Sequence, residues 1–366
     1  MFNRLLFKIK FRYLIFICFL GLILNIKLLF ISLFFIFLKL YLGSKKITFL
    51  VLLYICITFF IYELVNIQTF IHKTDYYTES NIQYDINREY GYYPKKNSEF
   101  VEKIFYKGKL LSLNKYTINE HGHRRTINFD VTTNECIVFF GGSIIFGQSV
   151  NNDETLPHYV SMNLNGEKKV FNFAFNGYGP HQFLSKIENN YLDELKICKK
   201  LYFIYFYIND HIGRVVGKRS WGDKSPRYIF NGYELVQKGF FSSYPFKLIM
   251  KFRKNVRNSK ILSIFYNIEK INKKDQALLI QILEEIEKKS KNININSNFY
   301  YIIWDKENLK YEIINNFFKF KKTLNIDNLN IPIKYHSNNI PGDNHPKKEF
   351  YELLSKDLIK FLLVKK

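Results

Sequence analysis

Cysteine is scarce. The chain has four in 366 residues, with no CxxC pair and no Cys/His cluster, so no metal centre is expected. Zinc-finger spacing, an RNP-like aromatic strand and a long arginine-rich run are absent too, and nothing marks a nucleic-acid reader. Acidic residues are few against basic ones, 32 to 54, for a net charge of +22 and a pI near 9.5. Such a balance favours polyanions. With nucleic acid unsupported, that leaves anionic lipid heads or an acidic glycan, beside the plainer reading of a solvated lysine-rich surface. No internal repeat is evident. No small-residue cleavage site follows the apolar N-terminal region, which therefore reads as a retained anchor and not as a signal peptide. What is abundant is apolar side chain: 47% hydrophobic and 18% aromatic, too much for a disordered chain.

Much of that apolar excess lies in the first seventy residues. ITFLVLLYICITFFIY, residues 47–62, carries no charge. Its apolar character runs on to about 67, long enough as a helix to span a bilayer core of about 30 Å. Residues 13–42 are also apolar but contain Lys27 and Lys39. They fit one long tilted helix, or two short arms turning near Asn25, Ile26 and Lys27. Arg4, Lys8, Lys10 and Arg12 precede the first stretch, and Lys39, Lys45 and Lys46 precede the second. The positive-inside rule puts both basic flanks in the cytoplasm and everything after residue 70 outside. That requires residues 13–42 to enter and return, as two short spans or a re-entrant hairpin; a simple two-helix hairpin would instead leave the domain in the cytoplasm. Residues 1–70 are thus expected to anchor the chain in the cytoplasmic membrane, with the rest on its extracytoplasmic face. Cys18 and Cys56 fall inside these stretches as small apolar residues.

Residues 71–96 are polar and rich in Tyr and Asn, and read as a linker. From 97 to 366 one domain is expected. After a short strand region to about 131, an alternating pattern begins. CIVFFGG (136–142), VFNFAF (170–175), LYFIYFYI (201–208) and FYYIIW (299–304) are continuous apolar runs, as parallel strands buried on both faces require. Helical segments at 153–165, 180–196, 275–291, 307–322 and 347–364 separate or follow them, and a further short strand is expected near 329–334. The rhythm predicts a three-layer α/β/α fold around a mostly parallel sheet. Residues 211–273 interrupt it as an insertion near the strand ends, a candidate lid. Cys136 and Cys198 each sit near the start of a strand. A disulfide between them is open to geometry, but two unpaired buried thiols are the simpler expectation.

Four short segments fall at or beyond the carboxyl ends of these strands, where α/β folds bind ligands. FFGGSIIFGQ places Ser143 on a strand-to-helix turn with its hydroxyl exposed. NFAFNGYGPHQ places Gly177 where a backbone N–H can approach a substrate oxygen. FYINDH supplies the amide of Asn209. PGDNHP supplies Asp343 and His345 just before the last helix. Together these four blocks resemble the SGNH (GDSL-like) serine hydrolase superfamily over roughly residues 115–360, in particular bacterial members whose first block reads GGS before an aromatic-Gly pair. The resemblance implies a flavodoxin-like sheet, Ser143 as nucleophile, His345 as base, and Ser143, Gly177 and Asn209 as oxyanion donors. Asp343 would be the third member of the triad, although D-x-H replaces the usual D-x-x-H. Tyr207 stands where the third block usually carries glycine, and is expected to narrow the pocket.

The implied chemistry is acyl transfer through a covalent intermediate, with no metal or cofactor. The substrate would be an acylated envelope polysaccharide or lipid, with O-acetyl esters foremost. An O-acyltransferase using the same residues, and a non-catalytic glycan-binding protein on the same scaffold, are the rival readings. Arg124 is expected on the solvated surface or against an anionic substrate group, and His181 at a helix start beside Gly177, with a possible substrate contact. Trp221 fits either a sugar-stacking surface or the core of the insertion. His121 and His123 have zinc-like spacing but no third ligand, and Asp210 is given a local structural role only.

Overall fold

A computed structural model describes residues 26–71, 75–127, 133–219, 221–303, 311–325, 339–342 and 345–364, with a few positions between 13 and 21. The chain divides into two compact units. One is Met1–Thr74 with Ser242–Lys270; the other is Asp75–Phe241 with Ile271–Lys366.

In the first unit, two apolar helices run over Ile26–Ser44 and Ile47–Ile71. The first begins at Ile26, where the sequence allowed a turn. Among the described residues, Lys27–Ser44 is the one stretch of helix long and apolar enough to cross a membrane. The second helix, Ile47–Ile71, covers the stretch 47–67 expected to span the bilayer, and its described apolar part is Ile47–Glu63. Helices Phe246–Asn258 and Lys260–Phe265 belong to this unit as well. The insertion expected at 211–273 is therefore divided between the units.

The second unit opens with short strands β1 (Tyr76–Ser80), β2 (Tyr84–Asn87) and β3 (Gly91–Pro94), followed by the hairpin β4 (Ser98–Tyr106) and β5 (Lys109–Ile118). The expected linker at 71–96 is thus largely strand: β1 pairs antiparallel with β4, and β2 with β3. Backbone pairing overrides a composition that reads as loop.

The main sheet holds β6 (Glu135–Phe140), β7 (Lys169–Asn172), β8 (Lys200–Tyr207), β11 (Ser297–Ile303) and β12 (Thr323–Asn325). Its order is β12-β11-β8-β6-β7 and every pairing is parallel. Between β8 and β11 lies the antiparallel hairpin of β9 (Pro226–Phe230) and β10 (Leu235–Phe240). The apolar runs have their cause in this sheet, because alternate side chains enter different cores. Ile137, Phe139, Tyr202, Ile204, Tyr300 and Ile302 face one core, shared with Tyr351, Leu354 and Leu358 of the last helix, Lys348–Val364. Val138, Phe140, Leu201, Phe203, Tyr205 and Tyr301 face the other, with Phe183 of helix Pro180–Glu188 and Leu279, Ile282 and Leu283 of helix Lys273–Ile293. Two apolar faces covered by helices make the three layers. The strand near 329–334 lies outside the described residues, whereas β12 forms earlier, at 323–325.

Cys136 and Cys198 are joined by a disulfide, Cα to Cα 5.8 Å, contrary to the expectation of two free thiols. Register brings them together: Cys136 is the partner of Leu201 on adjacent β8, and Cys198 lies two residues before β8 begins.

Candidate active site

From β6 the chain steps outward to β7 and then returns across β6 to β8. The carboxyl ends of β6 and β8 therefore flank a crevice where the winding reverses. Ser143 opens a short helix, Ser143–Phe146, directly after Gly141-Gly142. As its first residue, its N–H has no intrahelical acceptor. A side chain at Gly142 would place a Cβ 2.5 Å from Nη1 of Arg214 and 3.1 Å from the Tyr178 carbonyl. The second glycine of the GGS run is thus dictated by close approach.

His345 lies 202 residues on, yet its Nε2 stands 2.7 Å from Oγ of Ser143. With Nε2 accepting, the serine hydroxyl donates. Tyr351, three residues into the last helix's first turns, donates its hydroxyl to the Ile144 carbonyl at 2.8 Å. That bond ties the helix following His345 to the helix that carries Ser143. Asp343 lies outside the described residues.

Gly177 follows β7 with φ of +75°. A Cβ there would meet the Tyr92 hydroxyl at 2.7 Å and Cδ1 of Trp221 at 3.0 Å. The left-handed backbone and the crowding both demand glycine. Tyr92, from the presumed linker, donates its hydroxyl to the Asn176 carbonyl at 2.9 Å. Asn172 donates from Nδ2 to the Ile145 carbonyl at 3.1 Å, joining the base of this loop to the Ser143 helix.

Asn209 precedes helix Asp210–Val215. Its Oδ1 accepts from the Tyr207 hydroxyl at 2.8 Å, which establishes the oxygen end of the amide. Tyr207 does not narrow the pocket as expected. It is fully buried, and its ring packs on Phe318 at 5.0 Å.

These elements border a cleft of about 850 Å³. Ser143, Gly177, His345 and Trp221 line it, with Tyr84, Tyr92, Ile208, Asp210, Arg214 and Lys224. Trp221 is 48% exposed, so the core alternative does not hold. Arg214 was not singled out in the sequence. It is nearly buried, bonds Asp210 through Nε at 2.7 Å, and donates from Nη1 to the Tyr178 carbonyl at 2.6 Å. It therefore welds the Gly177 loop to the block that carries Asn209. The signal available was Asp210 and Arg214 spaced i, i+4 on a helix start. Asp210 also pairs with Arg219.

Two candidates stand elsewhere. Arg124 is neither solvated nor in the cleft: it is 1% exposed. Its guanidinium donates to the carbonyls of Phe146 (2.7 Å), Gly147 and Val150 (2.7 Å), and to Asn152 at 3.1 Å. It holds the C-terminal end of the Ser143 helix. His181 opens helix Pro180–Glu188 as expected, but is 1% exposed and faces Phe241, outside the cleft lining. Burial and neighbouring Arg214 push its pKa down to about 3.

His123 is buried between two charges, with Nδ1 2.6 Å from Glu194 and Nε2 3.0 Å from Nζ of Lys186. His121 lies on the surface, 3.6 Å from Glu120. Among the described residues, no group of three or more His, Cys, Asp or Glu side chains is placed to hold a metal ion.

No family model and no curated protein sequence matches the chain. Solved structures do resemble it. One is an acetyl xylan esterase from the rumen bacterium Butyrivibrio proteoclasticus, at 9% identity over 79% of this chain and 87% of that one, with a TM-score of 0.34. Another is a catalytic mutant of an acetylxylan esterase from Geobacillus stearothermophilus, at 10% identity, 64% and 96% coverage and a TM-score of 0.35. A third is a psychrotrophic esterase from Pseudoalteromonas, at 10% identity, 62% and 96% coverage and a TM-score of 0.35.

Proposed function

We propose that the chain is a membrane-anchored serine esterase of the SGNH type that cleaves ester-linked acyl groups. The observation that carries this is the 2.7 Å approach of His345 Nε2 to Ser143 Oγ at the wall of the cleft. His345 takes the hydroxyl proton as Oγ attacks the ester carbonyl. The oxygen of the tetrahedral intermediate becomes negative and accepts hydrogen bonds from the N–H groups of Ser143 and Gly177 and from the Asn209 amide. Loss of one such donor costs about 3–4 kcal/mol of transition-state stabilisation. His345 then protonates the departing alcohol. Water, activated by the same imidazole, releases the acyl group and regenerates Ser143. Asp343, two residues before the base, is assigned to orient it.

The substrate class proposed is an O-acylated glycan, with O-acetyl groups foremost. Half-exposed rings of Trp221 and Tyr84 border the cleft, and flat aromatic faces beside polar groups suit a sugar ring. Location on the extracytoplasmic face of the cytoplasmic membrane is supported by the lysine and arginine bias around the apolar helices. The Cys136–Cys198 disulfide fits an oxidising compartment.

A fluorophosphonate probe tests the nucleophile. The wild type should be labelled and Ser143→Ala should not; equal labelling of both would refute the assignment. Release of p-nitrophenol from p-nitrophenyl acetate should vanish in the same variant. Acetyl transfer to an added oligosaccharide in excess of hydrolysis would recast the enzyme as a transferase. A phosphatase fusion after residue 75 should be active if the second unit lies outside.

A further inference from the structure

Helix Phe246–Asn258, within the stretch expected as a lid, has a partner within the first unit. Glu63 lies within helix Ile47–Ile71, directly after the uncharged run 47–62, and is only 2% exposed. Its Oε1 accepts two hydrogen bonds, from Oγ of Ser259 at 2.6 Å and from the N–H of Ile261 at 3.0 Å. Ser259 separates helices Phe246–Asn258 and Lys260–Phe265. A carboxylate within the apolar helix Ile47–Ile71 thus clasps the junction between two short helices.

The first of these helices, FKLIMKFRKNVRN, has five basic residues and no acidic one. Lys247, Lys251 and Lys254 recur at i, i+4 and i+7, on one face. Lys251 and Lys254 are exposed. Leu248 and Ile249 are also exposed, at 38% and 43%, and Tyr244 just before the helix is at 69%. Arg257 is partly offset by Glu269 at 3.3 Å. An amphipathic helix with a lysine face and exposed aliphatic side chains lies in the plane of a membrane interface.

The helices of the same unit present apolar surface too, with Val51, Tyr54 and Ile61 all more than half exposed. Exposed apolar surface on this scale calls for a covering. Lipid covers both features at once: acyl chains against the apolar helices, headgroups against the lysines.

We infer that Phe246–Asn258 is an interfacial helix that docks on anionic phospholipid, positioned there by the Glu63–Ser259 clasp. Ile249 and Leu248 enter the acyl boundary, and Lys247, Lys251 and Lys254 meet lipid phosphates. Each basic residue near an anionic surface strengthens such binding about fivefold. The inference rests on the proposed membrane anchoring of the N-terminal helices.

Full-length Ile249→Trp protein, reconstituted in phosphatidylcholine vesicles with or without phosphatidylglycerol, tests it against the wild type with its two native tryptophans. Lipids brominated near the headgroup serve as quenchers. The added emission should shift to the blue and be quenched when phosphatidylglycerol is present. Both effects should weaken when Lys247, Lys251 and Lys254 are changed to Gln, with fluorophosphonate labelling unaltered. Unshifted, unquenched emission from protein that floats with the vesicles would overturn the docking and leave the anchoring intact. Protein that does not float at all would overturn both. A shift caused only by a soluble anionic polysaccharide, and not by phosphatidylglycerol, would replace lipid with glycan as the occupant.

Discussion

The hydroxyl of Tyr207 donates to Oδ1 of Asn209 across 2.8 Å, two residues away on the same chain. A tyrosine side chain thus orients the neighbouring amide. Tyr207→Phe keeps the ring against Phe318 and removes this bond. The expected result is a fall in kcat of about tenfold with little change in KM. With Asn209 in its proposed oxyanion role, Asn209→Ala should cost about 10²–10³-fold. Steady-state hydrolysis of p-nitrophenyl acetate measures both; an unchanged kcat in Tyr207→Phe would mean the amide is held by something else.

Gly177 gives a second test. Its φ of +75° and the Tyr92 hydroxyl, 2.7 Å from any added Cβ, leave no room for alanine. Gly177→Ala must move the loop, and with it the N–H proposed as an oxyanion donor. Activity should drop by roughly 10²-fold, while stability should fall by at least about 1–2 kcal/mol, the cost of a left-handed alanine, with the clash against Tyr92 and Trp221 adding to it. Parallel thermal melts and probe-labelling rates separate the two effects. A variant that labels at the wild-type rate would remove Gly177 from the oxyanion site.

The α/β rhythm, the strand ends and the residues at those ends were legible because buried parallel strands need unbroken apolar runs. Ile137 and Val138 serve opposite cores, so neither position can be polar. Ser143 and Gly177 were singled out for a related reason, since each follows such a run, whereas His345 was singled out from the PGDNHP block before the last helix. Tyr92 was not, because its strand is short, half-exposed and held by pairing with β2, a cause that leaves little trace in composition. Arg214 was hidden among 54 basic residues, and its importance lies in reaching the Tyr178 carbonyl from a different loop. Arg124 was misplaced because exposure is the usual state of arginine, and nothing local reveals that the carbonyls of 146, 147 and 150 await it.

Arg124 also predicts an effect on stability that reaches the site. Its buried guanidinium satisfies three carbonyls behind Ser143, and its plane lies 4.3 Å from the centre of the Tyr116 ring. Burial pushes its pKa down to about 10, so it stays charged at neutral pH. Arg124→Ala removes the guanidinium donors from those carbonyls and should cost about 3–5 kcal/mol. Arg124→Lys should rescue little, since an ammonium cannot span the same fork of acceptors. Denaturant midpoints of the two variants should fall together, with reduced probe labelling of Ser143. A lysine variant as stable as the wild type would contradict this account.

The His123 cluster predicts a loss of stability in acid. Lys186, 3% exposed and 5.2 Å from the centre of the Tyr90 ring, donates toward Nε2 of His123, whose Nδ1 faces Glu194. Burial first, and Lys186 second, push the His123 pKa from 6.5 down to about 4, against the opposing pull of Glu194. Burial likewise lowers Lys186 to about 7. In the unfolded chain His123 takes up its proton near pH 6.5, and in the folded chain only near 4. Between those values the unfolded state binds more protons, so stability falls as pH drops from 6.5 to about 4. The loss from this residue is on the order of 3 kcal/mol. Glu194, held below its ordinary value, adds a loss of the same sign at the acid end of the range. His123→Gln removes the titrating ring, and its midpoint should change less with pH than that of the wild type across this window. Melting curves collected down the pH range check it, and parallel slopes in the two proteins would exclude His123 as the source of the acid lability.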